Sequence, residues 1–371
     1  MIDNQAMPDI STQKIPQKIN AAVLYQTGEP LQIKSLDVPA LKFGQVLVKI
    51  FFSGVCRSQL MEVRGGRGDD PWLPHLLGHE GSGIVIGVGE GVTKVEPGDE
   101  VILGWIKGDG HNVPGAKYLC DGDVINSGGV TTFSNYSIVS ENRVVIKPKK
   151  LPLDEAMLFG CALPTGAGMV INEIRPAVDS SVVVLGLGGI GLAALMALRA
   201  QGVKTLIAVD VSEEKLAKAR ELGASQTLNA LNEDIVDAIH TITSGGADYC
   251  VESAGLVSTI EQGFSLVRTG GGKLLFASHP PEGEKICLAP HELISGKQIA
   301  GSWGGAVHPD RDIPHLFDLL RSAKTPFNLL LTKRYSLDQI NDALDDLEAG
   351  RVFRPLIVMG HADDSQLHRA D

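Results

Sequence analysis

The sequence predicts an α/β chain in two parts: a β-rich, barrel-like part, then a parallel sheet covered by helices on both faces. Three observations predict it. Short Val- and Ile-rich segments, punctuated by Gly, Pro and Asp, fill residues 21–147, the texture of a small barrel. From Ser181 onward apolar strands alternate with helical patterns, and that alternation requires crossover helices between parallel strands. Between the first of these strands and its helix stands Gly186-Leu187-Gly188-Gly189-Ile190-Gly191, a G-x-G-x-x-G turn in the context that gives it meaning.

Strands are expected at Ala21–Tyr25, Gln45–Phe52, Gly83–Val88, Glu100–Leu103, Phe133–Val139 and Arg143–Lys147, with turns such as Glu96-Pro97-Gly98-Asp99 between them. Ser181–Leu185, Thr205–Val209, Asp248–Glu252 and Lys273–Ala277 read as the parallel strands. Helices are expected at Ile190–Gln201, Glu213–Leu222 (Ser212 as cap, Gly223 as stop), Val257–Val267, Ile313–Ser322 and Leu337–Ala349, before a last strand at Pro355–Met359. The domain boundary is expected near Pro164–Pro176. Residues 1–18 read as a disordered polar arm and His361–Asp371 as a loose tail.

Composition narrows the function classes. A net charge of −11 opposes a nucleic-acid surface, which needs a basic stripe. The cysteines, Cys56, Cys120, Cys161, Cys250 and Cys287, are odd in number and widely spaced, without a CxxC. They predict a reducing, cytoplasmic setting rather than a disulfide framework, and the first residues carry no secretory leader. Val182–Leu198 is 17 residues without a charge. A membrane span needs about 20, and four of its first ten residues are Gly, so a strand, turn and buried helix is the better reading.

The glycine turn implies a dinucleotide. Gly186 permits the tight bend, Gly188 lets a pyrophosphate approach the backbone, and Gly191 lets helix and strand pack closely. Gly189 and Ile190 open the helix, whose unpaired N–H groups and partial positive charge face the phosphates. Asp210 follows Gly191 by 19 residues, where a carboxylate accepts the ribose hydroxyls and repels a 2′-phosphate. No Arg occurs among Val211-Ser212-Glu213-Glu214, so NAD is expected over NADP.

Cys56, His79, Glu80 and Cys161 have the chemistry of zinc ligands. They are scattered, with 23 residues from Cys56 to His79 and 82 from His79 to Cys161. Spacing assigns no site, and on chemistry alone each cysteine reads as a small buried hydrophobe rather than a ligand. Taken together, though, Gly54-Val55-Cys56-Arg57-Ser58, Gly78-His79-Glu80-Gly81 and Gly160-Cys161-Ala162-Leu163-Pro164-Thr165-Gly166 resemble the zinc-dependent alcohol dehydrogenases of the medium-chain dehydrogenase/reductase superfamily. The resemblance runs from about Ala21 to Met359. It implies a GroES-like β-barrel catalytic domain (19–165 and 306–371) and a Rossmann doubly wound parallel-sheet domain (166–305), with one catalytic zinc between them.

Carried over, the zinc ligands would be Cys56, His79 and Cys161, with Glu80 beside the metal. Arg57 and Arg354 resemble the arginines that bind the cofactor pyrophosphate, and Thr165 the threonine near the nicotinamide. Ser58 would take the alcohol proton. Two departures stand out. Gln59 occupies the place of an acid that orients the metal-bound histidine, and Met61 that of a relay histidine; Met carries no proton, and His75 and His111 are the candidate substitutes. The segment Trp105–Gly129, where relatives often hold a structural zinc on four cysteines, has only Cys120, so no structural zinc is expected.

The resemblance implies hydride transfer between a small alcohol, or its aldehyde or ketone, and NAD. A zinc-independent reductase and a non-catalytic NAD-binding scaffold are the alternatives. The apolar, Gly-rich segment Gln298–Gly305 resembles the strand through which relatives join, so a homodimer is expected and a tetramer is possible. Neither nucleic acid nor membrane is an expected partner.

Overall fold

The computed structural model describes residues 15–361. The chain divides into two compact units, one running to Gly160 and resuming at Leu331, the other Cys161–Leu330.

In the first unit, strands Lys18–Leu24, Gln32–Asp37, Lys117–Cys120, Asp123–Asn126 and His75–Leu76 form a closed barrel. A larger sheet runs in the order Val144–Ile146, Glu100–Gly104, Glu80–Val88, Gln45–Gly54, Arg354–Val358 and Leu331–Ser336, with Tyr136–Ser140 also paired to Gln45–Gly54. Gln45–Gly54 is its keel. Successive side chains of a strand point to opposite faces, so Val46, Val48 and Ile50 enter one core with Val85, Leu103 and Ile357. Leu47 enters a second with Ile86, Tyr118 and Ile138. The C-terminal strand belongs to this sheet because Leu356, Ile357 and Val358 pair antiparallel with Gly54, Ser53 and Phe52.

The second unit holds one parallel sheet in the order Gln226–Asn229, Thr205–Asp210, Ser181–Leu185, Tyr249–Glu252, Lys273–Phe276 and Gln298–Gly301. That is the doubly wound order in which the chain reverses direction beside its first strand, and ligands bind at the carboxyl ends there. The uncharged run from Val182 resolves into a strand, the glycine turn and helix Gly189–Ala200. No single helix among the described residues is long and apolar enough to cross a membrane.

Several expectations need correction. Residues 164–176 are not a boundary but the body of helix Ala162–Gly168 and the π-helical turn Met169–Ile174. The stretch from Ala162 to Val170 is buried, and a Cβ on Gly166 would lie 2.1 Å from the Ile190 carbonyl, so this helix packs tightly within the second unit. The return to the first unit comes at Leu331 rather than 306, because helix Pro309–Ser322 buries Ile313, Leu316, Phe317 and Leu320 in the second. Of the expected arm, residues 1–14 lie outside the described residues, while Lys18 already begins a strand. Of the expected tail, residues 362–371 lie outside them, and His361 is docked, its Nε2 2.6 Å from the Ile50 carbonyl.

Glu252 ends the strand next to the glycine turn and is fully buried. Its Oε1 accepts from Ala254 N at 2.9 Å, Gly255 N at 2.9 Å and Thr259 Oγ1 at 2.7 Å, while Oε2 has no hydrogen-bond partner. Burial pushes its carboxyl above the usual range, against the lowering pull of these donors. An acid whose folded value is raised contributes stability that is full below its unfolded value, about 4.3, and is lost as pH rises through the folded value. Glu252→Gln keeps an acceptor for the three donors and cannot ionise. Its melting temperature is therefore expected to gain on the wild type as pH rises above about 4.3 and to level off once the folded carboxyl has ionised; parallel profiles would show that Glu252 titrates normally.

Candidate functional site

Cys56 caps helix Arg57–Val63 with extended backbone, φ −99° and ψ 150°. Its backbone N–H is taken by the side-chain oxygen of Gln59, Oε1, at 3.2 Å. His79 precedes strand Glu80–Val88, held in place by the bend at Gly78, whose φ is +89°. Cys161 opens the second unit one peptide bond after Gly160. Gly160 is pressed into the first: a Cβ there would lie 2.3 Å from the Leu103 carbonyl and 2.9 Å from Glu80 Cα. Ligand atoms of Cys56, His79 and Cys161 come within 4.8 Å of one another. A tetrahedral zinc with two sulfurs and a nitrogen needs ligand separations of roughly 3.5–3.8 Å, so these residues fit the ion with small side-chain adjustments.

Gln59 also reaches His79, its Nε2 facing the ring Nδ1. An acid in this place would turn an oxygen to the ring. The structure commits the Gln59 oxygen to Cys56 N–H, so the NH₂ group meets the imidazole. With Nδ1 engaged, Nε2 is the ring nitrogen left for a metal. That assignment needs Nδ1 protonated, and two donors then oppose each other. A carboxylate has an oxygen for each task; an amide has one.

Glu80 and Arg354, expected beside the metal and at the pyrophosphate, meet each other. Arg354 Nη1 donates to Glu80 Oε1 at 2.8 Å, with the two side chains 4% and 0% exposed. Gly54 makes room, since a Cβ there would lie 2.6 Å from Glu80 Oε1. Removing one partner of such a pair costs about 3–5 kcal/mol. Arg57 is exposed at the first turn of its helix. Ser58 Oγ and Thr165 Oγ1 are buried and make no hydrogen bond. Each such hydroxyl costs about 1–3 kcal/mol. His75 has both ring nitrogens engaged, Nε2 with Asp70 Oδ2 at 2.7 Å and Nδ1 with the Leu76 carbonyl at 3.0 Å. His111 lies beside Glu141 at 3.9 Å.

In the second unit the three glycines play three different parts. Gly186 has φ +88°. A Cβ on Gly188 would meet nothing within 4 Å, leaving its backbone open to a ligand, whereas one on Gly191 would lie 1.9 Å from the Gly186 carbonyl. Gly189 and Ile190 begin the helix at this turn. Asp210 ends its strand and accepts from Leu187 N at 2.7 Å, Val211 N at 2.9 Å and Ser212 N at 3.0 Å. It thus ties the glycine turn to the next loop. Two contributors escaped the sequence reading. Ser253 Oγ donates to the Gly186 carbonyl at 2.7 Å, a role with no motif. Lys215 Nζ lies 3.8 Å from Asp210 Oδ2, one residue past the stretch inspected for cations.

The Gln59 geometry yields a test. Gln59→Glu should hold zinc at least tenfold more tightly, within the 10–100-fold range of such supporting partners, in competition with a chromogenic chelator. Gln59→Leu should hold it more weakly than the wild type. Equal affinity in all three would show that Gln59 does not orient His79.

Comparisons with known proteins place the fold in a family. Residues 42–149 match the model of the alcohol dehydrogenase GroES-like domain and residues 189–322 that of the zinc-binding dehydrogenase. An alcohol dehydrogenase zinc-binding domain protein from Burkholderia ambifaria is 32% identical, with TM-score 0.86 over 93% of this chain and 99% of that one. Benzyl alcohol dehydrogenase from Acinetobacter calcoaceticus is 31% identical, with TM-score 0.85 over 93% and 100%. A zinc-binding dehydrogenase from Sinorhizobium meliloti 1021, bound to NADP, is 25% identical, with TM-score 0.76 over 92% and 100%. With a GroES-like domain, a Rossmann-type sheet and relatives matched over nearly their whole length, the chain belongs to the zinc-type alcohol dehydrogenase family of the medium-chain dehydrogenase/reductase superfamily.

Proposed function

We propose that the chain oxidises small-molecule alcohols to aldehydes or ketones with NAD, and catalyses the reverse, at one zinc held by Cys56, His79 and Cys161. The observation that carries this is the convergence of those three ligand atoms to within 4.8 Å from segments 23 and 82 residues apart, which neither a scaffold nor a metal-free reductase needs. Zinc in that place supplies Lewis-acid polarisation of the alcohol or carbonyl oxygen, and NAD supplies the hydride acceptor. Ser58, whose hydroxyl lacks a partner, takes the proton of the substrate hydroxyl. Met61 cannot carry it onward and His75 is committed to Asp70 and Leu76, so the buried Ser58 hydroxyl acts as a relay, accepting this proton as it releases its own toward the cofactor ribose and the water beyond. Thr165 offers its unsatisfied hydroxyl to the nicotinamide end. Glu80 keeps Arg354 fixed beside Val55, whose carbonyl lies 3.4 Å from Arg354 Nη1. Arg57 supplies the positive charge for the pyrophosphate, with Arg354, whose charge Glu80 balances, behind it, and the open backbone at Gly188 and the start of its helix supply amides. No structural zinc is proposed.

The strand Gln298–Gly301 is the sheet edge, flanked by Ile294 at 80% exposure and Trp303 at 72%. An exposed edge with apolar neighbours is covered by pairing with a second copy, so we propose a homodimer. Light scattering at micromolar concentration that returned the single-chain mass of 39.4 kDa would reject it. Cysteines without a disulfide among the described residues suit a reducing cytoplasm.

Turnover with a panel of primary and secondary alcohols tests the reading. It should require zinc, disappear with a strong chelator and return on adding back one zinc per chain, while Cys161→Ala should lose metal and activity together. Asp210 favours NAD, and Lys215 beside it only partly offsets that charge, so kcat/KM should favour NAD over NADP at least tenfold and Asp210→Gly should narrow the gap. Undiminished turnover in metal-free protein would establish the zinc-independent reductase instead. Equal use of NADP would overturn the role given to Asp210.

A further inference from the structure

The helix that starts after Cys161 ends in an arginine held in an unusual backbone. Met169–Ile174 is wound as a π-helix, and Arg175 N–H donates to the Val170 carbonyl at 2.9 Å. Arg175 itself is left-handed, with φ 44° and ψ 58°. Both features cost energy and persist where the surroundings require them, often at binding sites. Pro176 follows, so the helix cannot run on past this residue. Arg175 Nε donates to the Asn172 carbonyl at 2.9 Å, which fixes the root of the guanidinium. Its two Nη groups make no hydrogen bond or ion pair among the described residues.

A cleft of about 300 Å³ opens beside it, wholly within the second unit. Pro164, Ile171 and Leu316 give it an apolar floor, and Arg175, Arg311 and His315 a polar rim. The Arg311 charge is spent on Asp312, with contacts of 2.6 and 3.0 Å. Asp312 is occupied in turn by His308 N at 2.8 Å. The uncompensated charge on the rim is therefore Arg175, with the His315 imidazole as a further polar group.

We propose that this cleft is a binding site for a small organic monoanion: a carboxylate on an apolar body, such as an aromatic acid. The planar fork of Arg175 matches a carboxylate bidentately. The apolar floor takes the body, and the volume lies at the small end of ligand pockets. A bare inorganic anion would satisfy the arginine and leave the floor uncovered.

Calorimetric titration of the full chain with sodium benzoate, sodium acetate and inorganic phosphate, at constant ionic strength, tests this. Arg175→Gly removes the guanidinium and relieves the left-handed backbone, so the variant folds, as its melting curve will verify. Benzoate is expected to bind once per chain, at least fivefold more tightly than acetate or phosphate. In Arg175→Gly its affinity should fall at least tenfold, with cofactor affinity unchanged. Absence of benzoate binding, or benzoate binding that survives in Arg175→Gly, would overturn the site. Phosphate bound as tightly as benzoate would overturn the organic-anion class.

Discussion

A Cβ at position 160 would collide with the Leu103 carbonyl at 2.3 Å, and the candidate metal site depends on that contact. Because residue 160 is glycine, the chain lies flat against Leu103 and Glu80 as it leaves the first unit. Its next residue, Cys161, then emerges beside Cys56 and His79. The same close fit recurs at Gly54, which leaves space for the Glu80 carboxylate. Backbone approach, rather than ligand chemistry alone, gathers the three donors. A larger residue at either position would displace a ligand or the Glu80–Arg354 pair before altering any group that reacts.

The site is electrostatically economical. Two thiolates would neutralise a divalent zinc held there, and Glu80 would then be an excess negative charge without Arg354 at 2.8 Å. In the second unit Asp210 is held by three backbone amides, which ease the burial of its charge and tie its position to the glycine turn. Each acid is thus fixed by a structural partner before any ligand arrives, and preorganisation of that kind limits the cost of binding.

The doubly wound sheet was legible because its strands are continuous apolar runs and its glycine turn sits between strand and helix. Ser181–Leu185 matches the expected bounds, and the neighbouring strands differ by a residue. The barrel strands Gln32–Asp37 and Lys117–Cys120 were not foreseen. The first buries a single side chain and the second alternates over only four residues, so pairing rather than pattern defines them. The helix Ala162–Gly168 read as a boundary because Pro and Gly interrupt it, yet close packing against Ile190 is what its glycine serves. The metal donors were beyond reach of spacing and came from resemblance alone. Gln59's commitment to Cys56, the pairing of Glu80 with Arg354 and the left-handed Arg175 are facts of three-dimensional register, with no periodicity in the sequence to betray them.

The central claim is that Cys56, His79 and Cys161 together bind one zinc. Diffraction from zinc-loaded crystals on either side of the zinc absorption edge tests it most directly. The account predicts one anomalous peak per chain, within roughly 2.0–2.3 Å of both sulfurs and of His79 Nε2. A peak elsewhere, such as among Glu62, Asp70 and His75, with none at these three residues, would contradict it.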